Sequence, residues 1–113
     1  MKCSLILFLI FGIFQQGFAK DMRVHCQAQF NGEAFLDTQI SLPESEKNLI
    51  LAEVEGLQIL LSSLRNEKIE LQVYDANAPI RVYSTGELKN SSDAVELSLW
   101  GRDYLLDVSC SLP

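Results

Sequence analysis

Apolar and polar positions alternate along most of the chain after residue 21, which is the pattern of half-buried β-strands. In residues 22–30, every second residue from Met22 is apolar or a cysteine. Asn31-Gly32 follows, a pair typical of a two-residue type I′ hairpin turn. The alternation resumes over residues 34–42, placing Ala34 and Leu36 on one face, and it ends at Pro43, which cannot donate to a strand ladder. These residues predict a β-hairpin.

The C-terminal half has the same period of two. Alternating stretches cover residues 69–74, 80–83, 95–100 and 104–112. They are separated by residues that favour turns and loops, namely 75–79, 89–93 and 101–102. We therefore expect four more strands in this half of the chain.

The segment 44–66 fits two structures. As strands, Ile50, Ala52 and Val54 share one face, and Gly56 turns the chain into a second strand. As a helix, the apolar residues recur at spacings of three and four, with Gly56 costing about 1 kcal/mol in its interior. The sequence predicts an all-β domain, a small antiparallel barrel or sandwich of about eight strands. The alternative is an α+β domain of six strands plus one helix at about 44–64.

Residues 1–19 have the order of parts found in a secretory signal peptide. Lys2 is followed by the apolar run 5–14, and Gly17 and Ala19 place small residues at a cleavage site after Ala19. The run is shorter than the roughly twenty residues that span a bilayer. We expect a secreted or periplasmic protein whose mature domain, 20–113, has no stable membrane span.

Export would leave two cysteines, Cys26 and Cys110, because Cys3 departs with the signal peptide. An even pair in a small domain of an oxidising compartment predicts a disulfide. Both cysteines fall on inward rows, one in the first strand and one in the last. The terminal strands are therefore expected to be adjacent and joined by the bond.

The charge of the chain limits the choice of partner. Without residues 1–19 it carries eight basic and fifteen acidic side chains, a net charge of −7. A phosphate backbone or an anionic membrane surface calls for clustered Lys and Arg, so nucleic acid is not an expected partner. The sequence instead allows a cationic partner.

No catalytic or cofactor-binding constellation is evident. His25 is the single histidine and lies on the outward face of the first strand, so a histidine-based metal site is not expected. No Gly-x-Ser-x-Gly elbow or phosphate-binding glycine loop occurs. Fifteen carboxylates leave open an acid–base pair such as Glu53 and Glu55, and hence a small carboxylate-dependent hydrolase. The sequence favours a protein that is not an enzyme and holds no cofactor or metal.

Aromatic residues on outward rows are the candidate binding residues. Phe35, Tyr74, Tyr83 and Trp100 all take such positions, with Arg102 close to Trp100. Tyr, Trp and Arg are enriched in binding hot spots, and Tyr74 and Tyr83 would be diagonal neighbours across one hairpin. Covering a second apolar layer is the alternative role of these rings.

We therefore expect an exported, non-enzymatic binding or accessory domain with a protein or cell-envelope partner. An inhibitor of a cationic hydrolase is the alternative, since small acidic β-barrel inhibitors of lysozymes are similar in size and class. The similarity is limited to size and structural class, because the chain has no counterpart of the inhibitory loop of those proteins. Asn90-Ser91-Ser92 also matches the acceptor pattern for N-glycosylation in a predicted loop.

Overall fold

The computed structural model describes residues 21–113, so the predicted signal peptide lies outside the described residues. The described chain is all β. Its eight strands are β1 (Met22–Phe30), β2 (Glu33–Leu42), β3 (Leu49–Val54), β4 (Leu57–Ser63), β5 (Lys68–Asp75), β6 (Ile80–Glu87), β7 (Ala94–Trp100) and β8 (Leu105–Ser111). Within residues 21–113 there is no helix that could cross a membrane.

The strands form two antiparallel sheets of four. Sheet A has the order β2-β1-β8-β7 and combines both ends of the chain, whereas sheet B is the meander β3-β4-β5-β6. β1 and β8 are neighbours at the centre of sheet A, with Cys26 directly opposite Cys110. Their Cα atoms are 4.1 Å apart, as in a non-hydrogen-bonded antiparallel pair, and a disulfide joins them. The predicted bond and the predicted adjacency of the terminal strands are both confirmed.

The core lies between the inner faces of the two sheets. Alternate residues of each strand point into it, which is why the period of two in the sequence predicts the strands. The central strands of both sheets supply most of its fully buried members. These include Val24 and Cys26 of β1, Ile59 and Leu61 of β4, Leu71 and Val73 of β5, and Leu106 and Cys110 of β8.

The segment 44–66 forms the β3–β4 hairpin, so the alternative with a helix at 44–64 is wrong. Glu55 and Gly56 make its turn with φ angles of 50° and 83°, which a right-handed helix cannot include. β4 is also the second strand of a four-stranded sheet, and residues on both of its faces are covered. This double burial explains the dense apolar run that resembled a helical stripe.

Two bulges change faces that simple alternation predicted. Residue 35 is extra in the β1–β2 ladder, because Gln29 pairs with Ala34 while Ala28 pairs with Leu36. Ala34 therefore leaves the inward row and is exposed. In β3, a shift at residue 51 pairs Ile50 with Leu60 of the outer face.

One side of the sandwich is closed by β6 and β7. The two strands belong to different sheets, yet a Cβ atom built on Gly86 would lie 2.9 Å from Cγ2 of Val95. This approach brings the β5–β6 turn and the β7–β8 turn to the same end of the molecule, where they border a groove.

Candidate functional site

The groove at this end, called the end groove below, lies between the β5–β6 and β7–β8 turns. Its volume is about 230 Å³. Its apolar wall is formed by Ala78, Ile80, Leu99 and Trp100 together with Gly101. Asp75, Arg102 and Tyr104 supply its polar groups. Residues from both sheets therefore contribute to the same concave surface.

A hydrogen-bonded pair fixes the polar part of the end groove. The Tyr104 hydroxyl donates to Oδ2 of Asp75 at 2.8 Å, joining the residue just before β8 to the end of β5. The other oxygen of Asp75 accepts from the backbone N–H groups of Asn77 at 2.9 Å and Ala78 at 3.3 Å. Asp75 is only 6% exposed, so these donors replace the water that its carboxylate would otherwise bind. The pair ties the two turns together.

The position of the Tyr104 ring depends on its neighbours. Phe30 stacks on it with ring centroids 6.0 Å apart. The ring also covers Gly101 so closely that a Cβ there would lie 2.2 Å from its Cε2 atom. Burial raises the pKa of Tyr104, and the hydrogen bond to Asp75 and the charge of Asp75 raise it further. Tyr104 therefore acts as a protonated donor near neutral pH.

The rim of the end groove is exposed and apolar. Trp100 is 78% exposed and Ile80 48% exposed. Trp100 points outward because its β7 neighbour Leu99 points inward opposite the buried Leu106. Leaving the largest apolar side chain in solvent gives no benefit to the isolated fold, so this ring is available to a partner.

Of the predicted binding residues, the structure brings two together. Trp100 and Arg102 both border the end groove, as their closeness in sequence suggested. Tyr74 and Tyr83 lie instead on the outer face of sheet B, where they are diagonal neighbours across the β5–β6 ladder. A single surface containing both tyrosines and Trp100 is therefore not formed, because β6 and β7 belong to different sheets.

Tyr74 has a local partner on that outer face. The guanidinium of Arg81 lies 5.1 Å from the centre of its ring, a cation–π contact. Arg81 also donates to Oε1 of Gln72 at 2.8 Å, and Gln72 donates in turn to Glu70 at 2.8 Å and to Asn48 at 3.1 Å. This network covers the outside of sheet B and explains why the polar Gln72 is buried. Phe35 lies apart from both tyrosines, at the bulge of β2.

Sheet A carries a polar outer face with a shallow depression of about 370 Å³. Glu96 and Asp107 both border it as diagonal neighbours on β7 and β8. The Ser98 hydroxyl donates to Asp107 at 2.5 Å, and Glu96 is exposed. In residues 21–113, no three His, Cys, Asp or Glu side chains are grouped as metal ligands.

His25 is paired on the same outer face. Its Nε2 lies 2.6 Å from Oδ1 of Asp37 on β2. This hydrogen bond is the main cause that lowers the pKa of Asp37. The contact joins neighbouring strands at the surface, away from the residues of the end groove.

Beyond Trp100 and Arg102, sequence reasoning missed the other six residues that line the end groove, and three of them position its polar and apolar groups. Ile80 and Tyr104 occupied inward rows of predicted strands, so alternation assigned them to the core. Asp75 was assigned to a turn, and an Asp at the start of a turn does signal its hydrogen bonds to following N–H groups. Its bond to Tyr104 crosses 29 residues of sequence and has no local signal.

Comparisons with known proteins give no match to a family model, a curated protein or a solved structure.

Proposed function

We propose that this protein is a non-enzymatic binding domain that holds one large apolar side chain of a protein partner in the end groove. The observation that carries the proposal is the exposure of Trp100 beside Ile80 on a concave surface whose floor is fixed by Asp75 and Tyr104. Central, rigid aromatic residues next to an arginine are the usual anchors of protein interfaces.

The size of the end groove favours a side chain over a free small molecule. Small-molecule sites generally enclose about 300–1,000 Å³, and the end groove, at about 230 Å³, is smaller. Arg102 at its border can pair with a carboxylate next to the apolar anchor. The partner segment we propose therefore contains a large apolar residue with an acidic residue nearby.

We also propose that the domain is exported and acts in the periplasm or outside the cell. The support is the order of parts in residues 1–19 together with the Cys26–Cys110 disulfide. Disulfides persist in oxidising compartments and are rare in the cytosol. Export in a bacterial host would be tested by the mass of the purified chain, with cleavage after Ala19 expected.

Selection from a random dodecapeptide library displayed on phage tests the end groove. The exported chain serves as bait, and a Trp100→Ala chain removes peptides that bind elsewhere. Selected peptides should share a large apolar residue near an acidic one. Their affinity should fall at least about tenfold in Trp100→Ala and Ile80→Ala, a loss typical of interface anchors.

Tyr83→Ala is the matched control, because Tyr83 is 64% exposed but lies on the outer face of sheet B. It should leave the affinity within about twofold of the original, since it removes an exposed ring without touching the end groove. Equal losses in Tyr83→Ala and Trp100→Ala would contradict the proposal. So would a selection that yields no peptide sensitive to Trp100.

Inhibition of a cationic hydrolase is a second candidate, favoured by the excess of fifteen acidic over nine basic residues. Opposite charges accelerate association and make it sensitive to salt. The test is inhibition of a cationic lysozyme at low and high ionic strength. Inhibition that weakens as salt rises supports this candidate, and no inhibition at low salt contradicts it.

A further inference from the structure

The side of the sandwich opposite β6 and β7 is open. β2 and β3 are edge strands there, and among residues 21–113 no strand pairs with their free sides. β2 is ten residues long, whereas most strands in proteins have five or six. A long unpaired edge presents backbone N–H and C=O groups to any extended chain that approaches it.

The apolar residues along this side are only partly covered. Leu36 and Ile40 of β2 and Leu49 and Val54 of β3 are half-buried at the margin of the core. Ile50 is 54% exposed. Neither strand contains a proline, lysine or arginine, which edge strands often use to prevent pairing, and beyond the bulge at residue 35 β2 runs in regular register from Leu36 to Leu42. The open side can therefore accept both main-chain hydrogen bonds and apolar side chains.

Negative charge is concentrated on the same side. Residues 33–55 comprise β2, β3, their connection and the first residue of the turn after β3, and they hold six of the fifteen acidic residues with a single lysine, Lys47. A second copy of this chain would bring two such surfaces together, and like charges facing each other are destabilising. The charge instead complements a strand that carries Lys or Arg.

We propose that the open side, which we call the β2–β3 flank, binds an extended cationic segment of a partner protein by adding it as a strand to β2. The backbone of the segment pairs with the free edge of β2. Its alternate apolar side chains cover the half-buried row, and its Lys or Arg side chains face the carboxylates of the flank. This inference does not depend on the end groove, which lies beside β6 and β7.

The probe is a capped ten-residue peptide of alternating lysine and valine, titrated against the exported chain. Two peptides serve as controls, one with glutamate in place of lysine and one with five lysines followed by five valines. We expect the alternating cationic peptide to bind at least about tenfold more tightly than either control, and more weakly as salt rises. On binding, backbone amides of β2 should exchange more slowly with solvent.

Charge variants test whether the peptide binds at the β2–β3 flank. Glu33 at the start of β2, Glu53 in β3 and Glu55 in the turn after β3 are exposed, so their joint change to glutamine should weaken binding about tenfold. The matched control changes the exposed Glu67, Glu87 and Glu96, which lie outside residues 33–55, to glutamine and removes the same charge. Its binding should stay within about threefold of the original, because exposed charges at a distance are screened.

Several results would overturn the inference. Equal losses in the two charge variants would indicate general attraction, as would binding of the block peptide as tightly as the alternating one. Slowed exchange in strands other than β2 would do the same, as would a dimer of the free chain in sedimentation whose β2 amides are already protected from exchange. Trp100→Ala should leave the affinity for the alternating lysine–valine peptide unchanged. The proposals for the β2–β3 flank and for the end groove can therefore fail independently of each other.

Discussion

At the scale of single residues, the turn between β4 and β5 contains an unfavourable backbone conformation. Asn66 and Glu67 have φ angles of 62° and 60°. Asn tolerates the left-handed region, but a residue such as Glu pays about 1–2 kcal/mol there. Changing Glu67 to glycine should therefore raise the free energy of unfolding by about 0.5–1 kcal/mol, after the greater flexibility of the unfolded chain is subtracted. Urea denaturation would measure the gain.

Glu44→Gly is the control for this change. Glu44 is also an exposed glutamate in a connection, but its φ is not positive. Glycine there should slightly lower stability, because it only adds freedom to the unfolded chain. An equal gain in both variants would show that removal of a negative charge, and not relief of backbone strain, is the cause.

The bond between Tyr104 and Asp75 gives a second prediction at this scale. Tyr104→Phe removes the donor and leaves a buried carboxylate oxygen without a partner, which should cost about 1.5–3 kcal/mol. Thermal or urea denaturation at neutral pH would measure the loss. Tyr83→Phe is the control and should be neutral within about 0.5 kcal/mol, because Tyr83 is largely exposed.

The pH dependence of the same pair has a definite sign. Burial and Asp75 raise the pKa of Tyr104 above its ordinary value of 10.0, so the folded state holds the proton more tightly than the unfolded state. The resulting stabilisation is complete below pH 10 and is lost as pH rises through the folded pKa. The stability difference between the original chain and Tyr104→Phe should therefore shrink above pH 10. A constant difference up to the folded pKa would contradict the assignment.

At the scale of elements, the β7–β8 turn depends on the absence of a side chain at residue 101. Tyr104 occupies the space a Cβ would take, and the Gly101 N–H donates to the Tyr104 carbonyl at 2.9 Å. Gly101→Ala should displace the ring and cost about 1–3 kcal/mol, the usual range for overpacking. In the double variant with Tyr104→Phe, the loss of unfolding free energy should be smaller than the sum of the two single losses. The reason is that a displaced ring already weakens the hydrogen bond to Asp75 that Tyr104→Phe removes.

Gly32→Ala is the control turn variant. Gly32 has a φ of 85° but open space where a Cβ would lie, so alanine there meets only the backbone penalty. Its loss should add to that of Tyr104→Phe, since a Cβ on Gly32 would approach no atom of the Tyr104 ring. Full additivity of Gly101→Ala with Tyr104→Phe would instead show that the ring does not depend on Gly101.

Strands were the elements most readily predicted from the sequence, and the reason is local. The alternation of apolar and polar residues reflects which side chains are buried, and Asn31-Gly32 reflects the backbone conformation of the turn. Both can be recognised from a few consecutive residues. The bulges at residues 35 and 51 could not be predicted, because an extra residue is defined only by the partner strand. The same limit applied to Tyr74 and Trp100, whose placement on different sheets depends on which strands pair.

At the scale of the whole molecule, the two sheets differ in how the chain builds them. Sheet B joins four consecutive strands through short turns, whereas sheet A forms only when β1 pairs with β8 from the other end of the chain. Closing a long loop costs entropy, and the Cys26–Cys110 bond, with a sequence separation of 84, removes most of that cost from folding. The cysteine rows made this adjacency predictable, and the other two strands of sheet A join it through hairpins between consecutive strands, β1–β2 and β7–β8.

Loss of the disulfide should therefore affect the sheets unequally. Changing both cysteines to alanine should lower the free energy of unfolding by about 2–5 kcal/mol. Hydrogen exchange under native conditions should quicken most in β1 and β8, because sheet B retains its local ladders. Chemical reduction of the original chain is the matched comparison, since it opens the bond without changing core volume. If β4 and β5 lost protection as much as β1 and β8 in both samples, the two sheets would open as one cooperative unit.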